Sequence, residues 1–218
     1  MHVGSPRSGP LVVLDVDSTL IEDEVIELFA DVAGSRPLVE AITMRAMNGE
    51  LDFADSLRER VRTLAGVPVQ AIDGIRSRVR VTKGVTELIQ GVHAADGLVG
   101  VVSGGFHEVL DPLGAELGLD YHRANRLAVR DGLLTGEVEG PIIDAEAKAH
   151  ALREWAADAG VPVSRVVAVG DGANDLAMMA AAGLSVAFDA KPRVRAHADV
   201  AMDVRDLSQI LPLIGLRG

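Results

Sequence analysis

The sequence predicts an α/β fold built on a buried parallel sheet. Short apolar runs recur along the chain, and each ends at a polar or glycine position. Helical periodicity fills the stretches between them, as parallel pairing requires. Open α/β sheets bind ligands beyond the carboxyl ends of their strands, and Asp15, Ser103 and Asp171 all fall at such ends.

The runs predict four strands. LVVL (residues 11–14) leads into Asp15 and LVGVV (98–102) into Ser103. VVAV (166–169) leads into Gly170 and Asp171, and LSVAF (184–188) into Asp189. From Glu22 to about Val81 the strand-like runs vanish. EDEVIELFADVAG places Val25, Phe29 and Val32 on one face and stops at Gly34. PLVEAITMRAMNG begins at Pro37 and stops at Gly49. DFADSLRERVRTLAG repeats Phe53, Leu57, Val61 and Leu64 and stops at Gly66. Proline near a helix start and glycine just past its end suit those positions. Residues 21–81 are therefore expected as an inserted helical lid over a core formed by 11–20 and 82–218. A hairpin is expected across 126–142, turning at Asp131-Gly132. Residues 1–10, MHVGSPRSGP, read as a flexible tail without the apolar stretch of a signal peptide.

Bulk composition narrows the chemistry. Of 218 residues, 48% are hydrophobic, enough for a substantial core, while only 3% are aromatic, so that core must be aliphatic. The absence of cysteine excludes disulfides and thiolate metal sites. A net charge of −11 argues against a nucleic-acid or anionic-membrane surface. No apolar run approaches bilayer length, and a cytoplasmic protein is expected.

Asp15 and Asp17 end a buried run, where an ionised carboxylate is costly unless paired or bound to metal. One such carboxylate can attack phosphorus if a hard cation such as Mg²⁺ offsets the repulsion. The other, two residues on, can exchange protons with the leaving group and with water. An Asp-rich turn would explain the pair alone. Ser103 with Gly104 and Gly105 offers a hydroxyl and open backbone N–H groups to phosphate oxygens, although an ordinary turn does as well. Asp171 can meet Asp15 across neighbouring strand ends and complete a metal site, with Asn174 near a phosphate and Asp175 orienting a water or a lysine; helix capping is the plainer alternative. Lys148 carries no signal by itself. Arg60 falls within the apolar stripe of its helix, and spacing leaves open whether its stem lines the core or its fork faces a pocket. The histidines form no close-spaced metal pattern, and Trp155 reads as core.

Taken together, DVDSTLIEDE, MNGELDFADSLRERV, VVSGGF, NRLAVRDGLLTGEVEGP and VGDGANDLAMM resemble the haloacid dehalogenase-like phosphatases, and among them those acting on phosphoserine. The resemblance implies a Rossmann-like core with a helical cap inserted after the first strand. It implies Mg²⁺-dependent hydrolysis of O-phospho-L-serine, the last step of serine biosynthesis, through an aspartyl phosphate. Asp15 would be the nucleophile and Asp17 the acid/base. Asp15, Asp171 and the Asp17 carbonyl would hold Mg²⁺, with Asp175 supporting the metal site. Ser103, Gly104, Lys148 and Asn174 would bind phosphate. Glu24 would face the substrate ammonium and Arg60 its carboxylate, while Met47 and Phe53 would line the closed pocket. Some relatives carry regulatory domains ahead of the catalytic part; none is expected here. Asp189 stands where the family suggests Asn. Transfer of the phosphoryl group to another alcohol such as homoserine, or a non-catalytic aspartyl-phosphate signal, remains open at this level.

Overall fold

The computed structural model describes residues 8–217. Strand β1 (Leu11–Leu14) is followed by a wide turn and four helices: α1 (Val25–Ala33), α2 (Arg36–Met47), α3 (Phe53–Arg62) and α4 (Ala71–Arg76). Then come α5 (Val85–Ala94), β2 (Leu98–Phe106), α6 (His107–Leu117), β3 (Tyr121–Arg130), β4 (Leu133–Glu139) and α7 (Ala145–Asp158). The chain closes with β5 (Val166–Gly170), α8 (Leu176–Ala180), β6 (Leu184–Phe188), α9 (Pro192–Arg195), β7 (Val200–Met202) and α10 (Ile210–Leu213).

The seven strands form one sheet in the order β4-β3-β2-β1-β5-β6-β7. Every pairing is parallel except β3 with β4. β1 is central, and its register sets Leu14 beside Val101 on one side and Val169 on the other. Alternation along β1 divides its side chains between two cores. Val12 and Leu14 join Phe29, Leu88 and Phe106; Leu11 and Val13 join Leu152, Trp155, Met178 and Met179. A strand covered on both faces reads as a continuous apolar run, which is why LVVL was legible.

Local chemistry sets the helix ends. Gly34 closes α1 in a left-handed conformation, Pro37 lies in the first turn of α2, and the Asp52 side chain caps α3 by accepting from Asp55 N at 2.7 Å. The apolar stripe expected on α1 holds at Val25 and Phe29 but not at Val32, which is 42% exposed where the last turn runs out to solvent.

The expected hairpin turns at Asp131-Gly132, both with positive φ. It is longer than 126–142 suggests at its start: β3 begins at Tyr121 and pairs parallel with β2, so the hairpin continues the main sheet rather than standing outside it. Of the expected tail, residues 1–7 lie outside the described residues. Residues 8–10 run along the α5–β2 turn: Leu98 N donates to Pro10 O at 2.9 Å, and Ser8 Oγ to Asp96 Oδ2 at 3.3 Å. Among the described residues, no helix is long and apolar enough to cross a membrane.

Candidate active site

A cavity of about 160 Å³ opens at the carboxyl ends of β1, β2 and β5. Asp15, Asp17, Gly104, Asp171 and Asn174 line it from the sheet side, and Glu24, Phe53 and Arg60 from the inserted helices. The wide turn after β1 aims both aspartates the same way. It closes through Leu20 N to Asp15 O and Ile21 N to Val16 O, with Ser18 at φ 57°. Asp17 Oδ1 then accepts from Val25 N at 3.0 Å, tying the turn to the start of α1.

Lys148 is fully buried beneath the cavity. Its Nζ lies 2.7 Å from Asp15 Oδ1 and 2.7 Å from Asp175 Oδ1. Asp15 Oδ1 also accepts from Val16 N at 2.7 Å, and Asp175 Oδ2 from Gly172 N at 3.0 Å. The contact with Lys148 is one of the two possibilities open to Asp175. Burial alone would depress the Lys148 pKa, but Asp15 and Asp175 outweigh it and hold the ammonium protonated.

The carboxylates are crowded. Burial, then repulsion from Asp175, pushes Asp15 well above the ordinary range. Asp17 is raised to about 7 by burial and by Glu24, and Asp171 to about 6 by burial, Asp175 and Glu24. Asp15, Asp171 and Asp175 bring carboxylate oxygens within 4.8 Å of one another. This oxygen-only donor set, with more negative charge than Lys148 balances, fits a hard divalent cation.

Ser103 is buried under the cavity floor. Its Oγ accepts from Gly105 N at 2.7 Å and faces Asp17 Oδ2 at 3.5 Å. The Phe53 ring packs so close to Gly104 that a Cβ there would meet it at 2.8 Å. Arg60 is half-buried, and its Nε donates to Ser56 O at 3.3 Å. Among the described residues its guanidinium makes no ion pair; burial lowers its pKa, and Glu24 is the largest influence opposing that shift. Glu24 Oε1 accepts from Ser18 Oγ at 2.7 Å. Met47 stands apart: at the end of α2 it is 63% exposed and does not line the cavity.

Sequence reasoning missed several contributors. Buried Asn125 donates to Gly104 O at 2.8 Å and accepts from Ile143 N at 2.9 Å, holding the irregular end of β2. Lys191 lines the cavity near Asp171, and Thr19 Oγ1 faces Asp171 Oδ1 at 3.5 Å. Asp189, at φ 45°, pairs with Arg205 at 2.8 Å, and Arg205 also donates to Ser18 O at 3.2 Å. The acid at 189 thus has its own counter-ion.

A second cluster, His107, Asp111 and His122, lies on α6 and β3. Ala124 N donates to His107 Nε2 at 3.1 Å, so the ring proton sits on Nδ1 and goes to Asp111 at 2.5 Å. Hydrogen bonding already uses both ring nitrogens of His107.

The family model for haloacid dehalogenase-like hydrolases matches residues 12–180. The chain belongs to this family. Among curated relatives of this hydrolase, a Streptomyces coelicolor phosphoserine phosphatase is 53% identical over 96% of the chain, and a Lactococcus lactis phosphoserine phosphatase is 46% identical over 94%. The chain spans 51% of the first relative's length and 94% of the second's. Its fold matches a solved phospho-aspartyl intermediate analogue of a phosphoserine phosphatase (TM-score 0.89, 42% identity, 94% of this chain and 99% of that one). A substrate-bound phosphoserine phosphatase complex matches with TM-score 0.90 and 41% identity, covering 95% of this chain and 99% of the other.

Proposed function

We propose that this hydrolase cleaves O-phospho-L-serine to serine and phosphate through an aspartyl phosphate on Asp15. The observation that carries the reading is one cavity with two chemistries. Its floor holds Asp15 and Asp17, with the buried Lys148 beneath them paired to Asp15, and its roof offers one carboxylate, Glu24, and a guanidinium, Arg60, that makes no ion pair among the described residues. A small zwitterionic phosphomonoester complements both. The names of the relatives, and the aspartyl-phosphate analogue among the structural matches, support the same reading.

In this mechanism an Asp15 carboxylate oxygen attacks phosphorus, and the bond from phosphorus to the serine oxygen breaks. Asp17 gives its proton to that oxygen. Water then attacks the aspartyl phosphate while Asp17 takes back a proton, releasing phosphate and restoring Asp15. A pKa of about 7 suits a group that must act in both directions near neutrality. Lys148 offsets charge on Asp15 and the phosphate, and Ser103, Gly104 and Asn174 supply further polar contacts to the phosphate. Asp15, Asp171 and the Asp17 carbonyl would hold Mg²⁺, with Asp175 in support through Lys148. The cation would supply positive charge against the phosphate oxygens.

Residues 21–81 act as the cap over a core of 11–20 and 82–218, with the 126–142 hairpin at its edge. Phe53 shields the phosphate end, and Met47 would approach the pocket only if α2 moves inward. The proposed setting is the cytoplasm. The test is phosphate release across a panel of small phosphomonoesters, with and without chelator. Phosphoserine should give the highest kcat/KM and lose it on chelation. Absence of release from phosphoserine would overturn the reading.

A further inference from the structure

Among the described residues, backbone hydrogen bonds attach the inserted helices to the core in two places, and Arg76 Nε on α4 adds a side-chain contact by donating to Glu108 O on α6 at 2.9 Å. At their base, Glu22 N donates to Arg80 O at 2.8 Å and Thr82 N to Leu20 O at 3.0 Å, around a bridge between Ile21 and Val81. The second attachment is to the β3–β4 hairpin. Gly66 N donates to Leu134 O at 2.8 Å, Leu134 N to Val67 O at 2.8 Å, and Val69 N to Gly132 O at 3.0 Å. The segment leaving α3 thus adds as a short strand to β4, with Pro68 opposite Leu133.

Gly136 makes this docking close. At φ +84° it sits against the end of α3, and a Cβ there would lie 3.0 Å from Ala65 Cβ and 3.2 Å from Arg62 Cα and O. Arg60 lies on the same last turn of α3. Any displacement of that turn moves the guanidinium relative to the phosphate end of the cavity.

We propose that the β3–β4 hairpin keeps α3 clamped to the core throughout turnover, and that Gly136 is a positioning residue that sets the reach of Arg60. The proposal rests on the reading of Arg60 as the partner of the substrate carboxylate. A cap swinging as one body about its base would have to break three backbone hydrogen bonds at the hairpin. Motion that admits substrate is therefore confined to parts of the insertion other than α3.

Two experiments test this. Pro68 and Leu133 face each other as a non-hydrogen-bonded antiparallel pair, the close-approach geometry that accepts a disulfide. Leu133 is exposed, and the chain has no cysteine to interfere. In Pro68→Cys with Leu133→Cys, oxidation should leave kcat for phosphoserine within about twofold of the reduced form, since the clamp is already closed. A loss of tenfold or more that reductant restores would overturn the clamp.

Gly136→Ala should raise KM for phosphoserine about tenfold, less than the roughly 100-fold that a full 1 Å misplacement can cost. It should leave kcat/KM for O-phosphoethanolamine, which lacks the carboxylate, within about twofold. Gly140→Ala is the control: φ is +73° with nothing within 4 Å of its Cβ, so it carries backbone strain without the clash. It should leave both substrates unchanged. Equal losses on both substrates in Gly136→Ala, or none, would overturn the positioning role. Arg60→Ala run alongside separates the two ideas. If it is selective for phosphoserine and Gly136→Ala is not, the hairpin proposal alone fails; if Arg60→Ala itself is unselective, the carboxylate reading fails.

Discussion

Lys148 Nζ lies 2.7 Å from Asp15 Oδ1, with both side chains buried. A lysine is taken out of water only where opposite charge holds it, and here Asp15 and Asp175 do so together.

Lys148→Met should remove that balance and leave two buried carboxylates unpaired. Loss of one partner of a buried pair costs about 3–5 kcal/mol, to be read by urea denaturation at pH 8. Phosphate release should fall roughly 10³-fold or more, as charge stabilisation at the phosphate is lost. Turnover within tenfold of the parent would refute the role of the lysine.

Asp15→Asn should abolish turnover, because an amide cannot form the acyl phosphate. It should not destabilise the metal-free protein as Lys148→Met does, since it removes a charge from a crowded acidic cluster. Appreciable phosphate release from phosphoserine would overturn the nucleophile assignment.

Arg60→Ala should lower kcat/KM for phosphoserine by roughly 10- to 100-fold, the range for a charge-assisted hydrogen bond worth about 1.5–3 kcal/mol. O-Phosphoethanolamine should lose less than about threefold. Parallel losses on the two substrates would remove Arg60 from carboxylate recognition.

Mg²⁺ should protect the fold more at pH 8 than at pH 5.5. With folded values of about 7 for Asp17 and about 6 for Asp171 against an ordinary 3.8, the metal-free native state keeps protons that the unfolded chain has already released. The contribution of these two groups to stability therefore falls as pH rises from about 4 through 7, and a bound cation relieves the repulsion responsible. Melting curves with Mg²⁺ and with chelator should differ more at the higher pH. A shift that is equal at both, or larger at pH 5.5, would contradict the crowding argument.

Much of this site was legible because its residues end apolar runs. Asp15, Ser103 and Asp171 follow strands buried on both faces, and such strands announce themselves as unbroken aliphatic stretches. Lys148 was not legible alone: on α7 it looks like any helical lysine, and its burial depends on carboxylates far away in sequence. Asn125 and Lys191 were missed for the same reason, since each acts through tertiary neighbours that leave no local pattern. β7, three residues long, and α4, six residues long, were too short to show a period. Val32 and Met47 show the converse limit, where apolar residues end up facing solvent at the last turns of α1 and α2.

The central position of β1 has an evolutionary consequence. Its two neighbours in the sheet, β2 and β5, pair with it residue by residue as far as Leu14, and Ser103 and Asp171 follow just beyond that paired stretch. A slip of one residue would turn those side chains to the opposite face, so drift along these strands is tightly constrained. Glu24, Phe53 and Arg60 belong to an insertion that shares none of that register. On the proposed reading, replacing the insertion would change which ester is accepted while leaving the groups at the strand ends in place.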